Sequence, residues 1–252
     1  MTTDIKSASR VLDMLELFST RCDGLTLTEV SKGLGLPKSS TLGLLRTLHG
    51  RGYLVREADD VYRLNDVVRR DGFARHGRLL RVGPTVMRAL SDRLGETVIL
   101  GMPGAPGMVR LIAKEAADRD VRFDIALPRQ EPAYCTAIGR ILLAAQGDEA
   151  ITKALAAVPR KALTEATITD LDAIRNRIDI ARNDGVAIVV DELVLGGTGV
   201  AVRIPLEPGQ PLAALNVGCV TARFEGNRDA IVAALHESAQ EIGAAMRPDR
   251  AA

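Results

Sequence analysis

The sequence predicts an α+β chain in two parts: an N-terminal winged helix-turn-helix and, beyond a linker helix, a helix-covered and largely antiparallel sheet. Three observations lead there. The first 66 residues give three short helical periodicities followed by two short apolar runs around an Ala-Asp-Asp turn. From Glu96 onward, short stretches with the two-residue period of strands appear between helical ones. Charge divides near the same junction: residues 1–82 hold 14 Lys and Arg against 10 Asp and Glu, and the remainder holds 19 against 22. A basic N-terminal part suits a polyanionic partner, although chance asymmetry produces similar counts. The expected division is 1–66, a linker helix over 67–82, and 83–252.

The elements follow in order. "SASRVLDMLELFST" sets Val11, Leu15 and Phe18 at helical spacing, with Ser7 or Ser9 as caps. "LTLTEVSKGLGL" puts Leu27, Val30 and Leu34 on one face and ends at Gly33 and Gly35. Pro37 suits the first turn of a third helix, where its missing N–H would have no partner. That helix runs to His49 and stops at Gly50-Arg51-Gly52. "YLVRE" and "VYRL" then form a hairpin around residues 58–60. Residues 67–82 are basic and weakly amphipathic, loosened at Gly72 and Gly77. A helix from Pro84 repeats Val86, Leu90 and Leu94. The strand-like runs are "TVILGM", "MVRLIAKE", "RFDIAL", "VAIVVDE", "GVAVRIPL" and "LAALNVGCV". Helices are expected at 136–145, 148–157 and 170–184, and at 228–246 with Ile231, Leu235, Ser238 and Ile242 on one side.

Several classes of function find no residues to carry them. There is no run of about 18 apolar residues and no signal-peptide core in "MTTDIKSASR". Cys22, Cys135 and Cys219 are far apart, and His49, His76 and His236 stand alone, so no metal cluster is expected. Such cysteine usage suits a reducing, cytoplasmic setting. No catalytic residue and no cofactor are expected, since Cys135 has no His or Asp in sequence reach.

The informative stretch is "LPKSSTLGLLRTLHGRGYLV", residues 36–55. On a 3.6-residue helix Thr41, Leu44, Leu45 and Leu48 form an inward stripe, and Ser39, Leu42, Gly43 and Arg46 face away. A helix reading the DNA major groove uses its N-terminal half for bases and phosphates, where Lys38, Ser39 and Ser40 would serve. Read alone, Lys-Ser-Ser-Thr is equally a capping sequence.

With its neighbours, "LTLTEVSKGLGLPKSSTLGLLRTLHGRGYLVREADDVYRL" resembles the winged helix-turn-helix of the IclR family of bacterial transcription regulators. "EPAYCTAIGRILLAA" and "LTEATITDLDAIRNRIDIARNDGVAIVVDEL" are similar to that family's C-terminal segments, in the same order. Many members carry a polar pair such as His-Arg where this chain has Leu42-Gly43. Gly43 costs the helix about 1 kcal/mol relative to Ala and removes a side chain from the DNA face. Leu42 would then contact a thymine methyl, or the site is simply unused. The acidic tip at Asp59-Asp60 argues against deep insertion of the wing. Arg51, Arg56 and Arg63 are the further phosphate contacts expected.

For the C-terminal half the resemblance implies a GAF-like effector-binding domain. Phe123, Ala137, Ile138, Asp191, Ala201, Asn216 and Gly218 match family pocket positions. In members that bind small oxo-acids, position 201 is Cys and positions 216 and 218 are Ser, so two polar anchors are lost here. Strand alternation puts Arg203 on the face of Ala201, where a guanidinium would select a carboxylate. The alternatives are that Arg203 reaches the rim or pairs with Asp191 or Glu192. Tyr134 would add a hydroxyl, or it is a core residue.

The expected function is a ligand-responsive DNA-binding regulator. Its partners would be double-stranded operator DNA, a small organic acid, with aromatic acids among the candidates, further copies of the chain in a dimer or tetramer, and RNA polymerase. No membrane is expected among them. The alternative is an enzyme acting on small acids with an accessory winged helix. That reading lacks a nucleophile–base pair, a metal set and a phosphate loop.

Overall fold

The computed structural model describes residues 6–19, 24–65, 73–207, 210 and 212–247, without the side chains of 19, 58 and 73–78. The first part of the expected linker, 67–72, lies outside these residues, as does Cys22. The chain forms two compact units, Met1–Arg81 and Val82–Ala252.

The first unit is a winged helix-turn-helix. Helix α1 (Lys6–Ser19) buries Met14, Leu15 and Phe18; Ser7 and Ser9 lie within it, and Val11 is half-buried. A two-residue strand, β1 (Leu25–Thr26), leads into α2 (Leu27–Leu34). The start of α2 is fixed by a reciprocal cap: the Thr26 N–H donates to Glu29 at 2.7 Å, and the Thr26 hydroxyl accepts from the Glu29 N–H at 3.4 Å. Gly35, in the left-handed region at φ 62°, ends α2 and makes the turn. Helix α3 (Lys38–Gly50) then buries Thr41, Leu45 and Leu48, with Leu44 half-buried. β2 (Leu54–Arg56) and β3 (Val61–Leu64) are the wing. The sheet order is β1-β3-β2, so the short strand before α2 closes the edge that the hairpin alone would leave open.

The second unit is built on a six-stranded antiparallel sheet of order β6-β5-β4-β9-β8-β7. Its strands are β4 (Thr97–Pro103), β5 (Met108–Glu115), β6 (Arg129–Pro132), β7 (Val186–Val190), β8 (Gly197–Arg203) and β9 (Ala214–Val220). Helix α4 is continuous over Phe73–Leu94, passing through Gly77 and Pro84, where the sequence led us to expect two helices. α5 (Ala137–Ala144) lies on one sheet face and is buried at every residue. α6 (Asp148–Ala156) and α7 (Leu171–Asp184) flank it. After the single turn α8 (Thr221–Phe224), α9 (Arg228–Ala245) packs on β8 and β9 and buries Ile231, Leu235, Ser238 and Ile242. Both faces of β8 and β9 are covered: Val200, Ala201, Val202, Leu215 and Val217 are all fully buried.

"RFDIAL" is not a strand. Residues 122–127 keep the alternation of one, with Phe123, Ile125 and Leu127 turned inward, but no strand pairs with them. Their backbone is held by side chains instead. The Thr97 hydroxyl donates to the Phe123 carbonyl at 2.5 Å, and Lys114 Nζ donates to the Ile125 carbonyl at 2.6 Å. The third strand of this sheet in chain order is β6, 129–132, which completes the edge beside β5.

Within α5, Arg140 is 1% exposed. Its Nη1 and Nη2 donate to Glu192 at 2.7 Å each, and its Nε donates to the Tyr134 carbonyl at 3.0 Å. Glu192 also accepts from the Ile168 N–H at 3.1 Å. Removing one partner of such a pair strands a buried charge, at a cost of about 3–5 kcal/mol, whereas replacing both with apolar residues is often nearly neutral. Thermal melts should therefore show a large loss for Glu192→Leu and substantial recovery in Arg140→Met/Glu192→Leu.

Candidate functional site

Two surfaces bring functional side chains together, one in each unit. In the first, the buried stripe of α3 fixes which residues face out. Lys38, Ser39, Ser40, Gly43 and Arg46 are exposed and Leu42 is half-buried. No atom lies within 4 Å of where a Gly43 side chain would begin, so the face is open at its centre. The Gly43 carbonyl accepts from the Thr47 hydroxyl at 2.9 Å. Lys38 and Arg46 form no ion pair among the described residues.

The other three arginines are placed differently. Arg51 caps the C-terminal end of α3, and its side chain lines a groove with Val11, Leu12, Leu15 and Tyr53 against α1. It does not share the face of Ser39 and Arg46. Arg56 is bonded to Asp60, which holds the guanidinium above its ordinary pKa through hydrogen bonding and charge. Arg63 Nε donates to Glu57 at 2.7 Å. The wing arginines, expected as phosphate contacts, have carboxylate partners within the wing itself. Asp60, read from the sequence as part of an acidic tip, neutralises Arg56, and Glu57, which the sequence does not single out, neutralises Arg63.

In the second unit, a cavity of about 60 Å³ lies between the sheet and the first turn of α5. Of the sequence-expected effector residues, Phe123, Ala137, Ile138, Asn216 and Gly218 line it. The sheet register explains four of the lining positions. Asn216 stands beside Ile99 on β4, and Gly218 stands beside Gly199 on β8, all on the face toward α5. Asn216 is 5% exposed, and its amide forms no hydrogen bond within the described residues. It is a polar group aimed into the cavity with its bonds unmade.

Tyr134, Asp191, Ala201 and Arg203 do not line the cavity, and each has a physical reason. The Tyr134 hydroxyl is buried and donates to the Lys161 carbonyl at 2.6 Å, so it is a core tyrosine. Asp191 sits at φ 58° and staples the β7–β8 loop: its carboxylate accepts from the Thr221 hydroxyl at 2.6 Å and from the Gly196 N–H at 2.9 Å. Ala201 is fully buried in the core beneath α5. Arg203 shares its parity but ends the strand, and is exposed. Two residues along a strand cover roughly 7 Å, enough to carry a side chain out of a pocket on the same face. Neither Asp191 nor Glu192 pairs with Arg203, since Glu192 is held by Arg140.

Sequence reading missed Glu131, which lines the cavity at 7% exposure and is bonded to Arg129. It also missed Gly197, Gly199 and the Thr97 tie to Phe123. The only signal for them was the cluster of small residues in "GGTGVAV". Cys135 lines the cavity too, but burial pushes its thiol up to about 12, and burial does the same to Cys219. A thiol in that state is not a nucleophile near neutral pH. No helix among the described residues is long and apolar enough to cross a membrane.

Comparison with known proteins places both units within one family. The family description "IclR helix-turn-helix domain" matches residues 7–58, and "Bacterial transcriptional regulator IclR C-terminal" matches residues 74–244. The transcriptional regulator XynR of Escherichia coli is 30% identical over 248 residues, covering 96% of each chain. The Pca regulon regulatory protein of Pseudomonas putida is 30% identical over 223 residues, 86% of this chain and 75% of that one. Among solved structures, the C-terminal domain of Escherichia coli KdgR is 31% identical with a TM-score of 0.60, over 67% of this chain and 98% of its own. An IclR homologue from Microbacterium hydrocarbonoxydans, solved in complex with 4-hydroxybenzoate, shares the fold at 23% identity and a TM-score of 0.63, over 95% of this chain and 98% of its own. These relatives are transcriptional regulators and not enzymes. A helix-turn-helix that presents a cationic outer face and a domain that encloses a small cavity are the two halves of such a regulator, and the chain belongs to the IclR family of bacterial transcriptional regulators.

Proposed function

We propose that this regulator binds a pseudo-palindromic operator as a dimer or tetramer of the same chain, and that a small organic acid with an aromatic body enters the cavity and changes that affinity. The outer face of α3 carries the DNA half of the reading. It offers two cations without acidic partners, two serine hydroxyls at the first turn and an open centre at Gly43. Hydroxyls and free N–H groups at a helix start suit phosphate, an Arg suits guanine or phosphate, and Leu42 suits a thymine methyl. Two such helices reading successive major grooves would lie about 34–36 Å apart. A ligand that prefers one spacing of the pair shifts DNA affinity by its differential binding, typically about 1–3 kcal/mol.

The effector half rests on the Asn216 amide and the first N–H groups of α5, which have no intrahelical partners. Together they offer neutral donors to a carboxylate at the positive end of a helix. Ile99, Ile138 and Val189 offer apolar walls to the rest of the molecule. The Microbacterium protein that shares this fold was solved with an aromatic acid, which supports a ligand of this size and kind.

Gel-shift titration should show Arg46→Ala weakening operator binding with the melting temperature unchanged. The loss falls evenly on all sequences if Arg46 meets phosphate, and at one base pair by about 1–3 kcal/mol if it reads guanine. Unchanged binding would remove α3 from the DNA. Calorimetric titration of benzoate and methyl benzoate tests the acid. The acid should bind at least tenfold tighter, a difference of about 1.4 kcal/mol. Asn216→Leu should erase most of that margin, and Arg203→Met should leave it intact. Equal affinity for acid and ester would overturn the carboxylate reading.

A further inference from the structure

The cavity at about 60 Å³ is smaller than the roughly 150 Å³ that admits benzene into an apolar protein interior. The missing space is occupied by the protein itself. The Phe123 ring is wedged between two glycines on adjacent strands. A β-carbon on Gly218 would meet Phe123 Cδ1 at 2.7 Å and Cε1 at 3.2 Å; one on Gly197 would meet Cε2 at 3.0 Å and Cδ2 at 3.2 Å. Each long edge of the ring therefore rests on a position that has no side chain. Any larger residue at either place would push the ring out, so the two glycines shape a seat for one planar six-membered ring.

The segment that carries the ring is suited to leaving. Residues 116–128 pair with no strand. Near the ring the segment is held by the Thr97 hydroxyl on the Phe123 carbonyl and by Lys114 on Asp124 and the Ile125 carbonyl. Phe123 is itself only half-buried, so it can move to solvent without disturbing the core beneath. The seat opens into the same cavity as the unbonded Asn216 amide and the Glu131 carboxylate.

We propose that Phe123 is a resident occupant of the effector's ring site, and that the effector binds by exchanging its own aromatic ring for that of Phe123. This rests on the reading of the cavity as the effector site. It deepens that reading by naming the ligand's body as one planar ring and Gly197, Gly218 and Phe123 as the residues that select it. Acids without a ring gain nothing from the exchange, because they leave the seat either empty or still filled by Phe123.

Benzene and benzoate are the probes, titrated into the full-length wild type and Phe123→Ala. Benzene should raise the melting temperature of Phe123→Ala and leave the wild type unmoved, and benzoate should bind the variant at least tenfold tighter. Benzene acting on neither protein, or equally on both, would overturn the proposal. Benzene rescue of the variant with no binding of benzoate to either protein would uphold the ring seat and overturn the acid reading instead. Should Phe123→Ala not fold, fluorine NMR of wild type labelled with 4-fluorophenylalanine decides. The resonance missing from Phe123→Leu should shift with benzoate while those of Phe18 and Phe224 stay. A Phe123 resonance that stays in place while benzoate binds would overturn the exchange.

Discussion

Arg140 brings a full charge into a helix that is otherwise apolar, and the region around the cavity is organised by how that charge is met. Three of its five N–H donors are used: two on Glu192 and one on the Tyr134 carbonyl. Glu192 in turn takes the Ile168 N–H, and the Thr167 hydroxyl donates to the Glu192 carbonyl at 2.7 Å. One residue earlier, the Asp191 carbonyl takes the Thr164 hydroxyl at 2.6 Å. A helix, the turn after β7 and an otherwise irregular connection are thus tied to one ion pair. Such a pair contributes little net stability over an apolar core, but it allows one arrangement only. What it fixes is the angle of the first turn of α5, and that turn is the floor of the cavity.

The fold distributes its polar groups by the same economy. Where a backbone lacks a ladder partner, a side chain supplies one: Thr97 for the segment carrying Phe123, Thr26 and Glu29 for the start of α2, and Asp191 for the loop beyond β7. The Asn216 amide forms no hydrogen bond among the described residues and faces the cavity, and the buried Gln210 Oε1 also lacks one. On the proposed reading of the cavity, a ligand carboxylate would supply the bond that Asn216 lacks.

Periodicity made most elements legible in the sequence. The stripes of α3 and α9 were readable because one face of each is buried and the other is not. Burial of both faces hid nothing in β8 and β9, whose apolar runs still read as strands. Residues 122–127 were misread because alternation reports that one side is covered, not that a neighbouring strand exists. The site was legible only in part, and for a related reason. Parity placed Arg203 on the correct face but says nothing of depth along a strand. Glu192 looked available to Arg203, yet its partner is 52 residues earlier in the chain, a pairing no local pattern reveals. Glu131 stood unnoticed in "RQEPAYC" because nothing in one short edge strand indicates what lies opposite it.

The self-paired arginines of the wing bear on how the protein would sense ionic strength. Binding to a polyanion depends on salt because each phosphate neutralised sheds condensed counterions, with a slope of about −0.9 per phosphate. Arg56 and Arg63 meet a phosphate only by letting go of Asp60 and Glu57. Each carboxylate so freed takes up a cation from solution, and the ions released at the DNA are offset by ions captured at the wing. Lys38 and Arg46 carry no such debt. If α3 meets DNA as proposed, the salt response carried by Lys38 and Arg46 would outweigh that of Arg56 and Arg63, and raised salt would weaken binding less than a plain count of these four cations implies.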